Sequence, residues 1–204
     1  MIGRRAALAG GFAALLAGCG YSAVAARPIA ASPVARKLIE AARKQVGVTL
    51  AYDPAYSALT YPGGDVPRSK GVCTDVLIRA YRDGLGIDLQ REVHEDMTRG
   101  FTAYPRRWGL TRPDRNIDHR RVPNLETFWT RQRARLPMSQ RAQDWQPGDI
   151  FTSLVSGNLP HTGIVSDRVT ASGAPLAIHN IGAGVREEDV LFAYPLTGHF
   201  RWRL

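Results

Sequence analysis

The spacing of apolar residues changes from helical in the first half of the chain to strand-like in the last third, and that change constrains the fold more than any single motif. The first half carries apolar residues at helical spacing over 33–47 and 73–82, and Ser32 followed by proline is a typical helix start. The last third instead holds short apolar runs separated by turn residues, which is typical of strands. The sequence therefore predicts an α+β domain in which N-terminal helices pack on a C-terminal antiparallel sheet.

The elements of this domain follow from the same patterns. Turns are predicted at Gly157-Asn158 and Ser172-Gly173. The predicted strands are 150–154, 162–166, 176–179, 190–194 and 200–204. Residues 88–141 are polar, rich in arginine and interrupted by prolines, with helical patches at 89–97 and 125–134. We interpret this stretch as an insertion folded onto the core of a single domain that covers 33–204.

The first residues have the pattern of an export signal. Arg4 and Arg5 precede an apolar run over 6–17, which is shorter than the ~20 residues that a membrane-spanning helix needs. The Leu-Ala-Gly-Cys at 16–19 resembles the lipobox of bacterial lipoproteins. That resemblance implies a signal peptide at 1–18, a lipid anchor on Cys19, an Ala- and Pro-rich tether over 19–32, and a location on the periplasmic side of the bacterial envelope. Ordinary cleavage near Ala25-Ala26 is the alternative, and the choice between general and twin-arginine export stays open.

The net charge of +9 comes largely from arginines between 99 and 141. A nucleic-acid partner is not predicted, since no recognition motif accompanies the charge and the chain carries an export signal. An anionic partner in the envelope fits better, either lipid headgroups or an acidic cell-wall polymer such as peptidoglycan. The alternative is a solvated arginine-rich face.

The chain has two cysteines, and Cys19 belongs to the export signal. Cys73 is then a single thiol in an oxidising compartment, which is either reactive or buried and inert. A Cys19–Cys73 disulfide is the alternative.

A thiol nucleophile needs a group that removes its proton. Cys73 stands at a predicted helix start, where backbone amides favour the thiolate. His161 lies on a predicted strand and is a candidate base and acid, and His179 on the next strand is a candidate to orient it. Asn180 is the alternative orienting residue, because side chains alternate along a strand and only one of the two can face His161. Each residue taken alone is commonly structural.

Three segments resemble the NlpC-type cell-wall peptidases: Pro-Gly-Asp at 147–149, His-Thr-Gly-Ile at 161–164 and Ile-His at 178–179. The resemblance implies a papain-like fold with Cys73 as nucleophile, His161 as base, His179 as orienting residue and a structural Asp149. The family usually has Asp-Cys-Ser-Gly at the nucleophile, whereas this chain has Val-Cys-Thr-Asp at 72–75. Longer strings at 61–67, 71–76, 116–124 and 179–184 identify the chain as a member of the bacterial family domain of unknown function 1287.

Four further polar residues are candidates for substrate contacts. Tyr61 and Tyr52 precede the nucleophile and are candidates to donate a hydrogen bond near the oxyanion, although the Cys73 amide is the safer donor. Asp118 and His119 are candidates for substrate binding, or for a metal together with a nearby aspartate. No compact ligand pair such as His-x-x-x-His is present, so neither a metal nor another cofactor is predicted.

Together these patterns predict an envelope cysteine hydrolase that cleaves an amide bond, with peptidoglycan stem peptides as its substrate class. An acyltransferase or deacylase on the same scaffold is one alternative. A non-catalytic binder of anionic envelope polymers is the other.

Overall fold

The computed structural model describes residues 26–204. Its helices and strands follow the predicted order of helices first and sheet last. The helices are α1 (Pro33–Arg43), α2 (Cys73–Leu85), α3 (Leu89–Gly100) and α4 (Val122–Arg131). The strands are β1 (Arg27–Pro28), β2 (Ala51–Tyr52), β3 (Lys70–Gly71), β4 (Ile150–Val155), β5 (Leu159–Val169), β6 (Pro175–Asn180), β7 (Val185–Glu188) and β8 (Leu196–Phe200).

The main sheet has the order β7-β6-β5-β4-β8, and every neighbouring pair in it is antiparallel. The short strand β1 also pairs with β5, and β2 and β3 form a separate parallel pair just before α2. The α+β fold class predicted from the sequence is confirmed.

The sheet has a different apolar cluster on each face, as strand alternation requires. Ile150, Ile164 and Ile178 belong to the main cluster, which also holds the buried faces of the helices. Phe151 and Val165, their neighbours along the strands, belong to a smaller cluster built around Trp145 and Leu191. The helices therefore cover one face of the sheet, and the loops before β4 and β8 cover the other.

The arginine-rich segment contributes directly to the main core. Leu89 and Val93 of α3 and Phe128 and Trp129 of α4 are fully buried in it. This segment packs as part of the domain, and its short 3₁₀ turn at Asp118–Arg120 contacts the start of α2.

Two predicted elements differ from the structure. Residues 190–194 form turns and no strand. Val190 and Leu191 belong to a loop, and their side chains are buried in the smaller cluster. The last predicted strand begins too late, since β8 ends at Phe200. β7 was not predicted, because its Val-Arg-Glu-Glu sequence has no apolar alternation.

The predicted tether is partly a strand. Arg27 and Pro28 pair with Val169 and Arg168 of β5, so its C-terminal end lies on the sheet. The signal peptide and the lipidation site Cys19 lie outside the described residues. Within 26–204 no helix is both long and apolar enough to cross a membrane.

Candidate active site

Cys73 is the first residue of α2, and its neighbours fix the start of that helix. The Asp75 carboxylate accepts a hydrogen bond from the Val72 backbone amide at 2.6 Å, which satisfies a donor that the helix start would otherwise leave unpaired. Gly71 is required for this contact, because a Cβ there would stand 2.8 Å from the Asp75 Oδ2 atom. Asp75 is thus a structural cap at the start of α2.

A buried ion pair holds this helix start against the arginine-rich segment. The Arg120 guanidinium donates to both Asp75 oxygens, at 2.9 Å each, and both side chains are buried. Thr74 adds a hydrogen bond from its hydroxyl to the Arg120 carbonyl at 3.0 Å. The segment around Arg120 therefore fixes the position of the residue next to Cys73.

The environment of Cys73 stabilises the neutral thiol. Burial raises the pKa of Cys73 to about 11, and the nearby negative charge of Asp75 acts in the same direction. The backbone amides of Thr162 and Thr74 and the Tyr52 hydroxyl act the other way, by hydrogen bonding, but they do not overcome burial. Burial of the thiol therefore opposes the activated thiolate that the helix start predicts.

The raised pKa leads to a prediction about thiol chemistry. Alkylation of Cys73 by iodoacetamide in the folded protein should be slower than that of free cysteine near neutral pH, because less thiolate is present. Its rate should keep rising with pH beyond the point at which free cysteine levels off. Mass mapping of the Cys73 peptide measures this rate, with urea-unfolded protein as the control. Faster alkylation of the folded protein near neutral pH would contradict this assignment.

His161 and His179 are joined in a hydrogen-bonded chain that continues to a carboxylate. The Nε2 atom of His161 lies 2.9 Å from Nδ1 of His179, and Nε2 of His179 lies 2.9 Å from Oε1 of Glu188. Both histidines are buried, whereas the Glu188 side chain is 40% exposed. Burial lowers the pKa of His161 to about 3 and also lowers the pKa of His179, so both rings are neutral near neutral pH.

The thiol meets the sheet at the residue that adjoins His161. The Thr162 backbone amide acts on Cys73 and lowers the pKa of its thiol, and α2 packs against β5, so the thiol lies near the strand residue next to His161. The side chain of Asn180 points elsewhere, since its amide donates to the Gly71 carbonyl at 3.0 Å. His179 rather than Asn180 is thus the hydrogen-bond partner of His161 in this structure.

Cys73 borders a cavity of about 500 Å³ that is mainly aromatic and apolar. Its aromatic walls are Tyr52, Tyr56 and Trp108, and the Arg121 guanidinium lies 4.1 Å from the centre of the Trp108 ring. A second cavity of about 500 Å³ shares Tyr56 with the first and is lined by Arg112 and Arg115. Such a space can hold a substrate larger than a single residue.

The remaining candidates from the sequence do not border the cavity at the thiol. Tyr61 packs edge-on against His94, with ring centres 5.1 Å apart, and does not border the Cys73 cavity, so this geometry gives its predicted oxyanion role no support. Asp118 is buried and accepts from the Asp114 amide and from Arg121, which makes it a structural residue. His119 is also buried, and burial lowers its pKa to about 3. Neither residue borders the cavity.

Asp149 is a structural residue of the turn before β4. It accepts from the Gln146 amide at 2.8 Å, from His199 at 2.7 Å and from Arg201 at 2.7 Å. Among residues 26–204 no cluster of three or more His, Cys, Asp or Glu side chains has a geometry that could hold a metal ion.

Two residues of the site are not predicted by any pattern in the sequence. Glu188 lies on a strand that the pattern did not reveal, and only the β6–β7 register brings it to His179. Trp108 lies in a proline- and arginine-rich loop, and no motif distinguishes it. Tyr52, which the sequence predicts as a candidate together with Tyr61, lies at the thiol.

The arrangement is that of a thiol at the start of a helix that packs against the two strands carrying a buried histidine pair. Residues 39–202 match the family described as Domain of unknown function (DUF1287), and the chain belongs to that family. A protein of Escherichia coli (strain K12), "Uncharacterized protein YijF", is 54% identical over 165 residues, which are 81% of this chain and 80% of that protein.

A similarity to a solved structure is weaker. "Structure of NlpC1 from Trichomonas vaginalis" matches with a TM-score of 0.42 and 17% sequence identity, over 87% of this chain and 46% of that chain. The chain thus spans less than half of that protein. A similarity of this size says nothing about activity or substrate.

Proposed function

We propose that this protein is a cysteine-dependent hydrolase that cleaves an amide bond, with Cys73 as nucleophile and His161 as base. The observation that carries the proposal is the placement of the Cys73 thiol at the Thr162 amide, one residue from a histidine whose Nε2 atom is held by His179. With Nε2 engaged, Nδ1 is the nitrogen of His161 that remains for a proton from the thiol. A thiol, a base and a residue that orients the base are what covalent amide hydrolysis requires.

The reaction proceeds through two half-reactions, and in each of them His161 takes one proton and then gives it up. Nδ1 of His161 takes the Cys73 proton as sulfur attacks the carbonyl carbon, and the same proton then passes to the leaving amine as the C–N bond breaks. Water next attacks the resulting thioester while His161 takes its proton, and the Cys73 sulfur leaves and regains a proton. The products are a carboxylic acid, an amine and the free enzyme.

The neutral resting state determines when the proton moves. The pKa of Cys73 is raised to about 11 and that of His161 is lowered to about 3, so the thiolate–imidazolium pair is disfavoured before substrate binds. Proton transfer therefore accompanies the attack on the carbonyl, as general base catalysis. The Cys73 backbone amide and the Tyr52 hydroxyl lie on the thiol side of the cavity and are the proposed donors to the oxyanion.

The cavities support an anionic, peptide-like substrate, and we propose peptidoglycan stem peptides. The aromatic walls beside Cys73 suit an extended chain. Arg112 and Arg115 line the adjoining space together with Asp114, whose carboxylate accepts from Tyr56 and from the Asn116 amide. Arg112 and Arg115 form no ion pair with a carboxylate among residues 26–204, so both are available to an acidic group. The proposed setting, the periplasmic side of the envelope with a lipid anchor at Cys19, depends only on the sequence before residue 26.

The test is digestion of purified peptidoglycan by this protein in water enriched in ¹⁸O, followed by mass spectrometry of the fragments. Hydrolysis should give new fragments whose carboxyl group carries one ¹⁸O atom, and their masses identify the bond. New fragments without the label, joined to an added amine, would show acyl transfer instead. If no fragment forms and the protein only sediments with the polymer, it is a binder and the proposal fails.

A further inference from the structure

The partly exposed carboxylate of Glu188 ends the hydrogen-bonded chain that begins at His161 and passes through His179. We propose that Glu188 is a positioning residue that fixes the tautomers of His179 and His161, so that the His161 Nδ1 atom is the unprotonated nitrogen. The consequence for catalysis rests on the function proposed above, whereas the tautomers are a property of the resting protein.

The tautomers follow from the two hydrogen bonds. A carboxylate can only accept, so the 2.9 Å contact with Glu188 requires a proton on Nε2 of His179. A neutral imidazole has one proton, which leaves Nδ1 of His179 as an acceptor. The 2.9 Å contact between the rings then requires a proton on Nε2 of His161. Nδ1 of His161 is left as the lone-pair nitrogen.

The reverse arrangement would remove the base. If Nδ1 of His179 carried the proton, it would donate to Nε2 of His161, and Nδ1 of His161 would then hold a proton. Without the carboxylate, the contact between the two rings remains, and it does not by itself favour either donor. Burial keeps both rings neutral, since it lowers the pKa of each, so the choice is between tautomers and not between charge states.

Glu188 also supplies the compensating charge when His161 takes the thiol proton. The hydrogen-bonded chain leads from the buried ring to the 40% exposed carboxylate, so the positive charge faces a negative one across His179. Arg186, the cross-strand neighbour of His179, acts in the opposite direction and lowers the pKa of that ring. Glu188 is the carboxylate that contacts His179, and it reaches His161 only through that ring.

The test is a long-range ¹H–¹⁵N correlation spectrum of the imidazoles near neutral pH, in wild type and in Glu188→Ala, assigned with His161→Gln and His179→Gln. We expect wild type to show the Nε2–H tautomer for both rings, and Glu188→Ala to show shifts averaged between tautomers. Asp189→Ala removes an exposed carboxylate from the next residue and should leave the spectrum unchanged. Unaltered tautomers in Glu188→Ala, or Nδ1–H rings in wild type, would overturn the proposal.

A kinetic measurement separates this role from general stability. If the amide hydrolase activity is present, Glu188→Ala should lower kcat on the order of tenfold or more, with KM near the wild-type value. A rise in KM alone would contradict a positioning role. If wild type cleaves no amide, the proposed function fails, and the spectrum still decides the tautomers.

Discussion

Replacing His161 by glutamine is expected to lower the rate of amide cleavage by roughly 10²–10⁴-fold, the usual contribution of a positioned base. Glutamine cannot take the Cys73 proton, and the thiol does not lose it unaided, because burial raises its pKa to about 11. The measurement is the rate of fragment release from peptidoglycan at saturating substrate.

The chain supplies a matched control for this variant. His94→Gln makes the same chemical change at a histidine that packs on Tyr61 and lines the second cavity, outside the Cys73 cavity. A change there can alter KM, but the rate at saturating substrate should equal that of wild type. Equal losses in the two variants would mean that His161 acts through stability, and a wild-type rate in His161→Gln would remove it from the mechanism.

Replacing Arg120 by methionine is expected to lower the free energy of unfolding by about 3–5 kcal/mol, the usual effect of leaving one member of a buried ion pair alone. The side chains of Arg120 and Asp75 are 2% and 4% exposed, so the Asp75 charge would remain without a partner in the interior. Urea unfolding followed by circular dichroism measures the change.

An exposed ion pair elsewhere in the domain gives the comparison. Arg68 and Asp83 are 51% and 34% exposed, and Arg68→Met should cost at most about 1 kcal/mol. The double variant Asp75→Asn with Arg120→Met should recover part of the loss, since it removes the unpaired charge. A loss in Arg120→Met no larger than that in Arg68→Met would show that Asp75 does not depend on this pair.

Local signals predict much of this fold. The helix start at Ser32-Pro33 is visible because one hydroxyl caps the helix, and its oxygen accepts from the Ala35 amide at 3.0 Å. The strands β4, β5 and β6 are visible because each carries a short apolar run with a turn after it. The order of His161 and His179 on consecutive predicted strands also indicates that these two side chains meet, because β5 and β6 are neighbours in the sheet.

Tertiary contacts decide what the sequence did not reveal. Glu188 reaches His179 only through the β6–β7 register, which places His179 opposite Arg186. A charged four-residue strand has no sequence pattern that predicts this pairing. The apolar run at 190–194 looks like a strand because burial, and not hydrogen bonding, selects its residues. The thiol pKa depends on how deeply Cys73 is buried, whereas the sequence shows only that it starts a helix.

The most direct test of the central claim is fragment release from peptidoglycan by wild type and by Cys73→Ala at equal concentration. Cys73 is buried and small, so alanine should preserve the fold, which an unfolding curve would establish. The account predicts labelled fragments from wild type and none above the protein-free blank from Cys73→Ala. Fragments released by Cys73→Ala at the wild-type rate would contradict a thiol nucleophile.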